Sequence, residues 1–277
     1  MARNQLIRFL RGAQSSIPTL NEGEPGFCTD TGKLFVGSSS GNKEIGASSL
    51  NNMSTEVTVC IEAGATGTGI DWGSTYAAPT LKAALARFQA PWLINYGSSA
   101  NETCVNVRVK AGDYSGTTTT DWQINNFQLP LFIAFLGSTA TPTLLPCLTF
   151  SYCKRVTMCN YGAAPVSLAS AFLTYMCPEV WLLNTYPYTF GTSGSGGLSV
   201  QYSKVWAASP ITISSGSGIY ALGGEAFINN ITITSTGNAI QADQGSIVRL
   251  NTYTINSGAI VKTNGSYVLN NQNVMIS

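Results

Sequence analysis

The chain has 277 residues, 44% hydrophobic and only 10% charged, with a net charge of +1 and no histidine. About a quarter of residues is ordinarily charged, so this surface must be wetted by Ser, Thr, Asn and Gly around an ample apolar core. Near-neutrality excludes electrostatic capture of nucleic acid or of an anionic membrane surface. The longest apolar run, Leu129 to Leu136, contains Pro130 and is too short to cross a bilayer. Met1 to Gly12 has basic residues but no apolar run of signal-peptide length, as expected of a protein made in the cytoplasm.

Residues 1 to 46 read as a separate module. Leu6-Ile7-Arg8-Phe9-Leu10-Arg11-Gly12 is a short alternating strand closed by glycine. Asp30-Thr31-Gly32-Lys33 is a turn between two further strands, its glycine accepting a positive φ. So short a module buries too little surface to stand alone and is expected to dock or to oligomerise. Leu20, Glu22, Gly23, Glu24, Gly26, Phe27, Thr29, Asp30, Thr31, Gly32 and Lys33, with the following Leu34-Phe35-Val36-Gly37, carry a family resemblance. They resemble the N-terminal module of phage tail fibre, tailspike and major-tropism-determinant-like proteins, whose pattern runs L-x-E-G-E-x-G-[YF]-x-T-D-T-G-K-[LF]-x-[IV]-G. The resemblance implies an attachment and trimerisation piece that joins a fibre to the tail or baseplate. It thus implies other tail or baseplate proteins and further copies of this chain as partners. Gly37-Ser38-Ser39-Ser40-Gly41 departs from the family's usual G-D-G, at the last part of the docking surface.

Residues 47–55, polar and small, read as a linker, and 56–277 as the body of the protein. Leu81, Ala84, Leu85 and Phe88 follow Pro79 at i, i+3, i+4, i+7, which predicts one short helix with one apolar stripe. Such a helix suits the open end of a stacked-coil fold; packing on a sheet elsewhere is the competing arrangement. Gly64 to Gly73, this helix, and Val105 to Tyr114 together are similar to the start of pectin-lyase-like right-handed parallel β-helices. Asp71 and Asp113 in this region are explained by turn capping.

Between Leu129 and Trp206 the pattern is less regular, with Leu131-Phe132-Ile133-Ala134-Phe135 reading as a strand buried on both faces. Seven cysteines form no CxxC pair, which fits buried thiols made in a reducing compartment; intersubunit disulfides formed after release from a cell are the alternative. Cys147, Cys153 and Cys159 recur every six residues, but with no histidine and no close pair no metal site is expected. Trp122, Tyr152, Tyr161, Tyr175, Trp181, Tyr186, Tyr188 and Trp206 form an aromatic group. Core or subunit packing accounts for such residues, while exposed ones stack on sugar rings. Tyr186-Pro187-Tyr188 is the expected exposed tip and glycan contact.

Near the end the same pattern returns every 20 or 21 residues. Gly224, Gly245 and Gly265 are each followed six positions later by an asparagine: Asn230, Asn251 and Asn271. Fixed periods of this size mark stacked repeats, each burying the apolar face of its neighbour. Ile211-Thr212-Ile213 and Ile231-Thr232-Ile233-Thr234 alternate at period two, the strand signature. The predicted fold is therefore all-β: a right-handed parallel β-helix with a capping helix, preceded by the small β module. Coils would stack about 4.8 Å apart, with Asn230, Asn251 and Asn271 as a side-chain ladder. A β-sandwich of evenly spaced hairpins is the alternative.

Many folds of this kind cleave polysaccharides, and glycoside hydrolysis needs two nearby carboxylates. After Asp121 only Glu179, Glu225 and Asp243 are acidic, and Glu225 and Asp243 fall at one predicted corner. They are the weak catalytic candidates; solvated corner residues are the other reading. No cofactor is expected. The resemblance of residues 1–46 thus implies a non-enzymatic phage virion component, a tail fibre, tailspike or baseplate appendage that contacts host surface glycans. A polysaccharide depolymerase using Glu225 and Asp243, and a capsid fibre or decoration protein, are the alternatives.

Overall fold

A computed structural model describes residues 10–30, 34–45, 51–53, 57–88, 92–94, 104–137, 140–183, 186–191 and 196–276. Two compact units separate: Met1–Ser54 with Arg87–Asn95, and Thr55–Ala86 with Tyr96–Ser277. The segment assigned as a linker lies mostly outside the described residues; its described part, Asn51–Met53, is a strand in parallel register with Trp92–Ile94.

The first unit holds a four-stranded sheet of β1 (Leu10–Gly12), β2 (Pro25–Cys28), β3 (Leu34–Ser38) and β4 (Gly41–Ile45). β1 runs parallel to β2, and β2, β3 and β4 follow as antiparallel neighbours. Residues 6–9 of the expected first strand and Thr31, Gly32 and Lys33 lie outside the described residues.

The second unit is a parallel β-solenoid of about seven turns. One face is built from Val57–Ile61, Val105–Lys110, Leu131–Leu136, Arg155–Asn160 and Glu179–Leu183, continues through the starts of three long strands, and ends at Tyr267–Asn270. Val105, Leu131, Val156, Val180, Val205, Ala226, Val248 and Val268 lie in register up this face, all buried. A second face stacks Leu145, Leu168, Phe190, Ile213 and Ile233, and a third stacks Leu148, Phe172, Leu198, Ile219 and Ile240. Each inward residue covers the one below, so a dry core forms without any coil being able to bury itself. On the outside of the second face Ser167, Thr189, Thr212, Thr232 and Thr254 form a hydroxyl ladder.

Coil length changes along the stack. Successive residues of the Val105 column are 26, 25, 24, 25, 21, 22 and 20 apart. The period of 20 or 21 therefore belongs to the C-terminal coils, and even there it needs a correction. Glu225 pairs with Ile247 and Ile247 with Tyr267, spacings of 22 and 20. The extra residue sits at a corner. Between Leu222 and Glu225 the chain turns through Gly223 alone at positive φ, whereas the next corner uses Gln244 and Gly245 and the last uses Asn264 and Gly265. Equal spacing from each glycine to its asparagine hides that insertion. Consequently Asn230 faces Thr252, and it is Asn229 that meets Asn251, at 2.6 Å between side-chain amides.

The predicted helix is present as α1 (Leu81–Leu85), extended by a tighter turn over Ala86–Phe88. Thr80 caps it, its hydroxyl accepting from the Ala83 N–H at 3.3 Å. Leu81, Ala84 and Leu85 are buried, and α1 packs beside Val57–Ile61, the first rung, and Gln123–Asn125. No described helix is long and apolar enough to cross a membrane.

Candidate functional site

The carboxylates singled out from the sequence all have structural partners. Glu225 Oε1 lies 3.2 Å from Lys204 Nζ, its register partner one coil below. Asp243, beside Leu222, closes the strand that Glu225 opens. Its carboxylate accepts from the Gln244 N–H at 2.7 Å and from the Asn264 amide. Hydrogen bonds from Thr263, Asn264 and Gln244 hold it below the usual carboxylate range. Asp71 and Asp113 cap turns as expected, accepting from the N–H groups of Trp72 at 2.7 Å and Ser115 at 2.8 Å. Glu62 bridges Lys110 at 2.6 Å and accepts from the Gly73 N–H, and these two bonds lower its pKa.

The aromatic tip requires a correction. Tyr186 is exposed, but Tyr188 is fully buried, in register between Val166 and Ile211 and edge-on to Phe135 at 6.4 Å. Tyr188-Thr189-Phe190 alternates at period two like any rung, so its tyrosine points inward. Of the two tyrosines of the expected tip, only Tyr186 reaches the surface.

Tyr152, Tyr175, Trp181 and Trp206 instead join two outer rows, while Trp122 is buried edge-on to Tyr114. Tyr152, Tyr175 and Tyr202 step along one corner with ring centroids 5.3 and 6.1 Å apart, and the Tyr202 hydroxyl donates to Gln244 Oε1 at 2.6 Å. On the first face Trp181, Trp206 and Phe227 stand in register, stacked at 4.5 and 6.0 Å with interplanar angles of 14° and 9°. Arg249 continues the row, its guanidinium carbon 5.4 Å from the centre of the Phe227 ring, a cation–π contact.

Beside that row runs a cleft of about 430 Å³, within the size range of ligand pockets. Its second wall is made of Leu183, Ala208, Asn229, Asn251 and Asn271. Those residues lie two positions after Trp181, Trp206, Phe227, Arg249 and Leu269, and residues two apart on a strand share a face. Small and amide side chains thus border a wall of large rings. The sequence reading had Trp181, Trp206, Asn251 and Asn271; it missed Phe227, Arg249 and Asn229. Their signal is a spacing of 25, 21 and 22 residues between row members, readable only once the coil lengths are known.

In the first unit the motif residues explain their own geometry. Gly23 has φ +82, and Glu24 Oε2 accepts from the Asn21 backbone N–H at 2.9 Å while the Glu24 N–H donates to Asn21 O. Leu20 is buried, and a Cβ on Gly26 would meet it at 3.0 Å. A Cβ on Gly37 would lie 2.0 Å from the Asn21 carbonyl oxygen, so no other residue fits. Glu22, Thr29 and Asp30 are exposed, whereas Phe27 is half-buried.

Residues 7–38 match the family described as the major tropism determinant N-terminal domain. No curated protein and no solved structure matches the chain. The family match falls on the stretch whose motif carried the resemblance to tropism-determinant-like modules. The pectin-lyase-like resemblance has no such match behind it; what stands of it is the parallel solenoid.

Proposed function

We propose that this protein is a non-enzymatic attachment component of a phage virion, a tail fibre, tailspike or baseplate appendage. Residues 1–46 anchor it, and the solenoid is its rigid outward body. The match of residues 7–38 to the tropism-determinant N-terminal family carries this reading. The parallel solenoid supports it, because stacked coils make a stiff rod with long outer ladders. Three chains assemble in this reading, as the resemblance implies and as a surface with so few charges favours. Glu225 and Asp243 act as corner residues, each engaged by its own partners. The experiment is to delete residues 1–46 in the phage and immunoblot purified particles. Particles of the parent contain the chain and those of the deletion lack it; equal amounts in both overturn the anchoring role. Release of reducing ends or unsaturated sugars from host polysaccharide by the purified chain, abolished by Glu225→Gln, overturns the non-enzymatic assignment.

A further inference from the structure

The cleft beside the Trp181–Trp206–Phe227 row is used by neither the corner carboxylates nor the N-terminal motif. Resting on the proposed outward-facing role of the solenoid, we propose that it binds a linear polysaccharide bearing carboxylate groups, laid across several rungs with one carboxylate on Arg249.

The apolar wall comes first. Trp181, Trp206 and Phe227 are half-buried, and their rings are already fixed by one another, so a ligand meets them with little further loss of side-chain freedom. Parallel rings 6.0 Å apart exceed the about 3.5–4.0 Å contact separation of carbon atoms, so Trp206 and Phe227 are offset. They therefore present stepped edges and part of their faces. Neither indole N–H of Trp181 and Trp206 is bonded among the described residues, which leaves two donors on this wall.

The opposite wall is polar but almost uncharged. Asn229 and Asn251 join amide to amide, leaving an N–H₂ on one and a carbonyl on the other. Asn271 and Asn273, also at the cleft, make no side-chain hydrogen bond among the described residues. Apolar rings facing a run of amides spaced about one rung, 4.8 Å, match a chain of sugars. Sugars bring C–H faces and hydroxyls that both donate and accept. A protein partner burying those amides would need a fitted mate for each. A nucleic acid would need several cations for its phosphates, and the cleft has one.

That cation decides the ligand's charge. Arg249 is the only charged residue lining the cleft, and no carboxylate pairs with it among the described residues. Phe227 holds the guanidinium from one face, leaving its N–H fork for a bidentate carboxylate.

The test uses the purified full chain with oligomers of polygalacturonate, alginate and hyaluronan, and with dextran oligomers as the neutral control. Tryptophan fluorescence and calorimetry read the affinity. At least one acidic oligomer binds at least tenfold more tightly than dextran; Arg249→Gln and Trp206→Ala each weaken it tenfold or more, and Thr212→Ala on the second face leaves it unchanged. Absence of binding to all three acidic oligomers overturns the proposal, as does equal binding of dextran or parental affinity in Arg249→Gln. If Trp206→Ala fails to fold, the exposed Arg249→Gln decides alone. A drop in solution mass on Trp206→Ala with unchanged glycan affinity makes the row a contact between copies and also overturns it. A chain that is present in virions through residues 1–46 yet binds no acidic glycan sinks the cleft assignment and leaves the attachment role standing.

Discussion

Tyr188 stands in an inward column between Val166 and Ile211, and its hydroxyl has no hydrogen-bond partner among the described residues. Burial pushes that phenol far above its ordinary pKa, so it stays neutral. Burying an unpaired hydroxyl costs about 1–3 kcal/mol. Tyr188→Phe, which keeps the ring, is therefore expected to stabilise the protein by about 1 kcal/mol. Tyr188→Ala leaves a cavity and costs about 3–5 kcal/mol. Urea unfolding of the two variants checks this, and a destabilised Tyr188→Phe would mean the hydroxyl has a partner after all. The expected exposed tip holds for Tyr186 and fails for Tyr188, which opens a rung. Its column, not its neighbours in the chain, sets its direction. The same logic governs Tyr152, Met176 and Tyr202, which hold φ values of 56°, 51° and 48°. Bulky residues rarely adopt the left-handed region, and these occupy the corner position taken by Gly223 one coil later.

Corners are the element that varies. The C-terminal coils were legible because Ile–Thr alternation and a near-constant length leave a visible period. The earlier coils run to 24–26 residues with loops of unequal size, which hides the same stacking. The asparagine ladder was read one residue out because a single corner residue was added between Asp243 and Ile247. The cleft was only half legible, since an aromatic row across coils of changing length has no period to find. Corners also set the response to acid. Donors that exist only in the fold depress the pKa values of Asp243, Asp113 and Glu62. A carboxylate with a lowered folded pKa stabilises above its unfolded value, about 4, and that contribution is lost as pH falls through the folded value. With no histidine in the chain, no imidazole titrates near neutrality. Thermal melts followed by circular dichroism are expected to be flat from about pH 5 to about 8 and to fall below about pH 4. Asp243→Asn should blunt that fall; a midpoint that drops between pH 6 and 8 would contradict this account of the corners.

For the whole molecule, two units of different construction share one chain. The first owes its shape to a motif whose glycines sit where a Cβ would strike Leu20 or the Asn21 carbonyl. The second is a stack in which residues one turn apart become neighbours, and this brings Trp181, Trp206, Phe227 and Arg249 into one row and builds the cleft. The row and its cleft exist only through that winding. It is tested most directly by paired cysteines on the outer hydroxyl ladder, where Thr232 and Thr254 are register partners and Thr212 lies one rung further away. Two rungs span about 10 Å, beyond the roughly 7 Å that a disulfide can bridge. Under mild oxidation, peptide mapping by mass spectrometry should find the Thr232→Cys/Thr254→Cys pair joined and the Thr212→Cys/Thr254→Cys pair free. A cross-link in the second pair, or none in the first, would contradict the winding.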